Sequence, residues 1–160
     1  MAFVLGVNAK LHYLPDASGA REAWPASAAG VTALNLVEID TAKEVKLNLD
    51  RDKADVTTRA DGGFKTTMTT LKGGTIGFKL VRDTLDTAFL YLQDAVDTRK
   101  RIAVACLDGA ADTPGTQGLW ADMKITKWSE TQNADGVIEV DVELSLADSD
   151  VVAAWVTTGA

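Results

Sequence analysis

The sequence predicts a mainly β fold of α+β character: a β-sandwich or barrel with one packed amphipathic helix and a long extended loop or hairpin arm. Three observations carry that expectation. Several stretches alternate apolar and polar residues with a period of two, which puts one strand face on a core and leaves the other open. One stretch changes period: Leu85, Ala88, Phe89, Leu92, Ala95 and Val96 recur at three- and four-residue spacing and share one helical face. Between the alternating stretches 44–50 and 74–80 lies a polar, Thr- and Gly-rich insert from Arg51 to Gly73. A hairpin needs only roughly two to five connecting residues, so this insert does more than reverse the chain.

The elements follow in order. Ala9 to Leu14 reads as a strand with Leu11 and Tyr13 on one face and Lys10 and His12 on the other, and Pro15-Asp16 ends it. Residues 16–31, rich in Ala, Gly and Ser, read as loop, and Thr32 to Ile39 fits either a short strand or a helical turn. In Lys43 to Asp50, Val45, Leu47 and Leu49 oppose Lys46, Asn48 and Asp50; in Gly74 to Arg82, Ile76, Phe78 and Leu80 oppose Thr75, Gly77 and Lys79. The helix is expected over Thr84–Thr98, capped by Asp83 or Thr84, whose short oxygen side chains accept from the first-turn N–H groups. Arg99, Lys100 and Arg101 then sit at the negative end of its dipole.

Ile102 to Leu107 is apolar on both faces and reads as a buried strand. A loop follows over 108–118. Leu119 to Glu130 alternates with Leu119, Ala121, Met123 and Ile125 inward and Asp122, Lys124 and Thr126 outward. After a turn at Asn133–Gly136, Val137 to Ala147 alternates most cleanly, and the tail at 151–156 is apolar again. Strands in series with a single helix among them fit a sandwich or barrel covered by that helix.

At 160 residues the chain is expected to be one domain, with an arm at about 51–73 and a C-terminal tail at about 148–160. Sixteen basic against 23 acidic residues give a formal charge of −7, which argues against simple phosphate binding. A lone cysteine, Cys106, makes no internal disulfide, and its alternation with Ile102 and Val104 reads as a small buried hydrophobe. No secretory leader and no run of about 20 apolar residues is present, so synthesis in the cytoplasm and no membrane insertion are expected.

Catalytic, cofactor and metal sites are not expected. His12 is the only histidine, lacks a local nucleophile signature, and reads as a surface or interface residue. One Cys and one His give no zinc spacing. Gly62-Gly63 and Gly73-Gly74 lack a phosphate-loop framework and read as hinges by which an arm leaves and rejoins the sheet.

Three constellations fit assembly. The arm carries Arg51, Asp52, Asp55, Arg59 and Lys65, charges able to set register against a neighbour, with Gly62, Gly63 and Phe64 among strongly β-prone residues; its ordinary reading is a disordered surface loop. Trp120, Trp128 and Trp155 read equally as core or interface for the first two and as interface for Trp155. Glu139, Asp141 and Glu143 make an acidic stripe, ordinarily a solvated face; repeated around a ring, it would line a channel that repels DNA.

The runs Lys46–Asp50, Ala54–Arg59, Gly63–Thr66 and Thr70–Lys72, with the opening MAFVLG and Ala9–Tyr13, resemble long-tailed bacteriophage tail tube proteins (major tail proteins). Phe64 stands where that family often has Trp. The resemblance implies a structural virion protein that is not an enzyme, assembled in the host cytoplasm into stacked, hexameric rings that close an inner barrel. Implied partners are copies of the chain itself, other tail proteins (tip, tape measure, terminator) and DNA passing non-specifically through the lumen. The stacked-ring tube of type VI secretion systems is similar. The competing expectations are a monomeric carbohydrate- or ligand-binding β-sandwich, with Trp120 and Trp128 stacking on sugars, and another virion protein such as a decoration or connector subunit.

Overall fold

The computed structural model describes residues 10–15, 24–25, 27–58, 60, 62–147 and 153–159. Among them are eight strands and two helices: β1 (Lys10–Leu14), α1 (Ala28–Ala33), β2 (Val37–Glu38), β3 (Lys43–Asp55), β4 (Thr67–Val81), α2 (Thr87–Thr98), β5 (Arg101–Leu107), β6 (Gln117–Thr131), β7 (Glu139–Leu146) and β8 (Ala154–Thr157). The fold is mainly β with α+β character, as the sequence predicts. The short α1, capped by Ser27 Oγ accepting from Gly30 N, lies across the expected loop and the ambiguous segment after it.

All pairing is antiparallel, in the order β2-β1-β5-β6-β7-β4-β3, with β8 on β6. The fifteen-residue β6 belongs to both halves: residues 117–120 pair with β8 and 118–124 with β5, whereas 123–131 pair with β7. Leu11 and Tyr13 of β1 share one core with Ile76 and Phe78 of β4, although three strands separate them in the sheet order. A flat sheet would hold those strands roughly 19 Å apart at about 4.8 Å per step, so the sheet folds over upon itself. Ala88, Phe89, Leu92 and Ala95 of α2 fill this core.

The helix begins later than expected. Asp86, not Asp83 or Thr84, is the N-cap, its Oδ1 accepting from Ala88 N at 3.1 Å, while Asp83 Oδ1 accepts from Leu85 N and holds the preceding turn. Arg99 ends the helix in the left-handed region at φ 54°.

The outer face of β1, β5 and β6 is covered too. Leu14, Ala103, Ala105, Leu107 and Trp120 form a second cluster under Trp24, Leu34 and Leu36. This explains the double-sided apolarity of β5 and corrects two readings: Asp122, expected outward, is 4% exposed, and His12, expected at the surface, is 5% exposed. His12 lies near Val31 and Asn35 from the α1 region, with Ala110 and Asp112 on the other side. Its Nδ1 has no hydrogen-bond partner among the described residues. Burial pushes its pKa below the ordinary value, with Glu38 opposing and Lys10 adding to the shift.

A histidine whose folded-state pKa lies below its unfolded value costs stability only in acid, because the unfolded chain takes up the proton first. That loss sets in as pH falls through about 6.5, the unfolded value. Thermal melts should therefore show a fall in Tm from pH 7 to pH 5 that is smaller in His12→Gln; an equal fall in both proteins would remove His12 as its source.

Candidate assembly interface

The arm is a continuation of two strands. β3 and β4 stay paired from Leu47↔Ile76 through Leu49↔Gly74 and Arg51↔Lys72 out to Asp55↔Thr67. Thr and β-branched residues favour the pleated conformation, and here they extend the ladder beyond the body. Gly73 and Gly74 are therefore interior strand positions rather than hinges. A Cβ at Gly74 would meet the Leu49 side chain at 2.9 Å, so that glycine serves close packing. Gly62 and Gly63, at φ 61° and 88°, lie in the turn region at the far end of the hairpin, where the left-handed backbone suits glycine.

Two bulges shape the hairpin. One extra residue on β3 between Lys43 and Lys46 places Glu44 at φ 52° and brings it onto Lys79 at 3.1 Å. An extra residue on β4 opposite Arg51–Lys53, the stretch that holds Asp52, bends the arm where it leaves the body. The tip is tied by its own chain. Asp55 Oδ1 accepts from Thr57 N and Oγ1 (3.0 and 2.6 Å), and Lys65 Nζ reaches Asp55 Oδ2 at 3.6 Å. The Thr57 hydrogen bonds hold the Asp55 carboxyl below its usual pKa. Asp55 and Lys65 thus pair with each other, whereas Arg51 and Asp52 are exposed. Arg59 lies outside the described residues.

The arm tip is apolar as well as exposed: Phe64 is 77%, Met68 56% and Val56 41% accessible. The outer edge of β3 has no partner strand among the described residues, and neither do the outer edges of β2 and β8. Unpaired edges are templates for pairing with another chain.

The three tryptophans separate. Trp120 is 2% exposed and belongs to the second cluster. Trp128 is brought inward by a bulge between Ile125 and Lys127, which flips the alternation of β6; its ring lies 5.6 Å from Phe89, and its Nε1 donates to Glu130 Oε1. Only Trp155 is left open, at 64%. Burial of that ring on assembly should shift the emission maximum of the protein to the blue, and Trp155→Phe should remove most of the shift. An emission spectrum that stays constant through assembly would leave Trp155 outside any interface.

The acidic stripe is interleaved with lysines. Asp141 pairs with Lys79 of β4, and Glu143 with Lys127 of β6. Lys46, Lys79 and Lys127 line one shallow depression with Glu44, Asp141 and Glu143. The Glu44 carboxylate holds the Lys79 ammonium above its ordinary pKa. Cross-strand neighbours of opposite charge stabilise a sheet face, and sequence alternation along β7 alone did not disclose them.

No helix among the described residues is long and apolar enough to cross a membrane. No protein-family model and no curated protein matches the sequence. Solved structures do match in fold. A chain in the virion of the native gene transfer agent (GTA) particle is 12% identical with a TM-score of 0.67, covering 96% of this chain and 98% of that one. The tail of the empty GTA particle, of C6 symmetry, gives 12% identity and a TM-score of 0.67 over 97% and 98%. The SPP1 tail tube gives 10% identity and a TM-score of 0.67 over 98% of this chain and 81% of its own. Likeness over nearly the whole length assigns this chain the tail tube fold.

Proposed function

We propose that this chain is the tail tube subunit of a phage-like particle, a structural protein that assembles into six-membered rings stacked as a hollow tube for DNA. Fold alone does not fix function. The observation that carries the reading is the outer edge of β3, which has no partner strand among the described residues and runs from the body out to Asp55 in the arm. A ring of copies in heterologous contact turns such an edge into a closed ladder. The hairpin is already paired within one chain, so docking it costs less ordering than a disordered loop would. The arm and the C-terminal tail would join one ring to the next, with tip, tape measure and terminator proteins at the ends. The virion tail is then the site of function and the host cytoplasm the site of assembly. If the β7 face lines the channel, its acids with interleaved lysines give DNA a weakly repelling, non-adhesive wall.

The ligand-binding alternative loses its motivating feature, since Trp120 is buried and Trp128 packs on Phe89. Electron microscopy of the concentrated protein, alone and with tail-tip components, tests the proposal. Hollow rods with a repeating ring are expected; a species that stays single-copy under every condition would refute it.

A further inference from the structure

Among the described residues, the folded-over sheet does not seal at one place. Leu47 of β3 on one layer faces Cys106, Leu107 and Trp155 from β5 and β8 on the other, across an open cavity of about 330 Å3. β3 and β8 come close there without pairing. Trp155 stands opposite Leu119, a fully buried core residue, so its ring hangs on the core side of β8 yet remains 64% exposed. Gly118 completes the wall, and no side chain fits at that position: a Cβ would run into the Cys106 carbonyl. Asp108 sits on the rim. The mouth is therefore apolar inside, walled by backbone and large enough for a ring, since roughly 150 Å3 suffices for benzene.

The same chain carries a matching knob it cannot use itself. Phe64 is 77% exposed at the arm tip, with Lys65 beside it. From Leu47 to Asp55 the paired strand runs eight residues, about 27 Å at roughly 3.4 Å per residue, and Phe64 lies beyond that end. An extended paired hairpin holds Phe64 away from its own mouth. From the complementary shapes and this reach, we infer that Phe64 of one copy inserts into the Leu47–Cys106–Trp155 mouth of another, its ring against Trp155, with Lys65 over Asp108. Aromatic pairs favour tilted or offset packing and contribute beyond the area they bury. Opposite charge at the rim fixes register more than it adds affinity. The contact joins two different patches of one chain, so it propagates from copy to copy. It deepens the tail tube reading and rests on it, naming the surface that receives the arm.

Cys106 makes the test direct, because a native thiol lines the mouth. Lys65→Cys keeps the Phe64 knob and places a second thiol next to it. In assembled Lys65→Cys protein, a short bismaleimide should link subunits into a covalent ladder, and adding Cys106→Ala should abolish it. Leu85→Cys, on another exposed apolar residue (90% accessible), serves as the comparison. Phe64→Ala should raise the concentration needed for assembly at least tenfold, and Phe64→Trp should restore it. Rods that form normally but show no Lys65→Cys ladder, or that ladder through Leu85→Cys instead, would overturn the docking and leave the tube intact. Failure of the wild-type protein to form rods at all would overturn both.

Discussion

Joining Arg51 to Lys72 through an Asn-Gly turn, with residues 52–71 removed, is expected to abolish rod formation and leave the body folded. The reasons are separable. No described residue of 52–71 belongs to either apolar core. Arg51 and Lys72 are direct partners, so a two-residue turn of the primed type closes the shortened hairpin with matching twist. The melting temperature should therefore stay within a few degrees of the parent. Assembly, in contrast, loses Asp52–Asp55, the outer end of the β3 edge, together with Phe64, Met68 and Val56. Sedimentation at rising concentration should find one small species where the parent gives rods. Rods of normal length from the shortened chain would show that the arm is ornamental.

Phe89→Ala is expected to produce the largest loss of stability from a single side chain. Phe89 is 1% exposed, lies on the buried face of α2, and packs against Trp128. Truncating a buried phenylalanine costs about 3–5 kcal/mol, from lost transfer free energy plus the cavity left behind. At about 2–4 °C per kcal/mol for a domain of this size, Tm should fall by roughly 6–20 °C. The helix is what fills the folded-over sheet, so near-ultraviolet circular dichroism from Trp128 should weaken too. A shift below a few degrees would mean that the sheet closes without α2.

Much of this arrangement is legible in the residue order because β periodicity is local. Ile76, Phe78 and Leu80, and Val140, Val142 and Leu144, all turn inward as their spacing requires. The same holds for Ala88, Phe89, Leu92 and Ala95 on the helix, while Leu85 falls before its first turn and is exposed. What alternation could not supply is whether a second layer covers the other face. His12, Asp122 and Trp120 sit on the polar phase of their strands and are nonetheless buried, because α1 and the segments near it cover that side. A bulge is equally silent: one extra residue near Ile125 carries Trp128 across the sheet.

The arm was readable in part. Arm length and β-propensity marked 51–73, but ends of strands are where propensity is weakest as a guide, and the paired stretch runs well past Asp50 and begins before Gly74. Asp55 and Lys65, read as charges that set register, lie 3.6 Å apart within one chain, since a two-stranded ribbon brings residues ten apart together. The mouth between Leu47 and Trp155 joins residues far apart in the chain, and no local pattern announces it. Glycine offered the one signal, at Gly118, where two backbones approach too closely for any side chain.

Amide hydrogen exchange along β3, compared between dispersed and assembled protein, tests most directly whether copies of this chain complete one another's sheets. In an antiparallel edge strand every second N–H points away from its partner. The account predicts that these outward amides of Lys43–Asp55 exchange quickly in the dispersed chain and become strongly protected in rods. Rods in which they exchange as fast as in the free chain would contradict it.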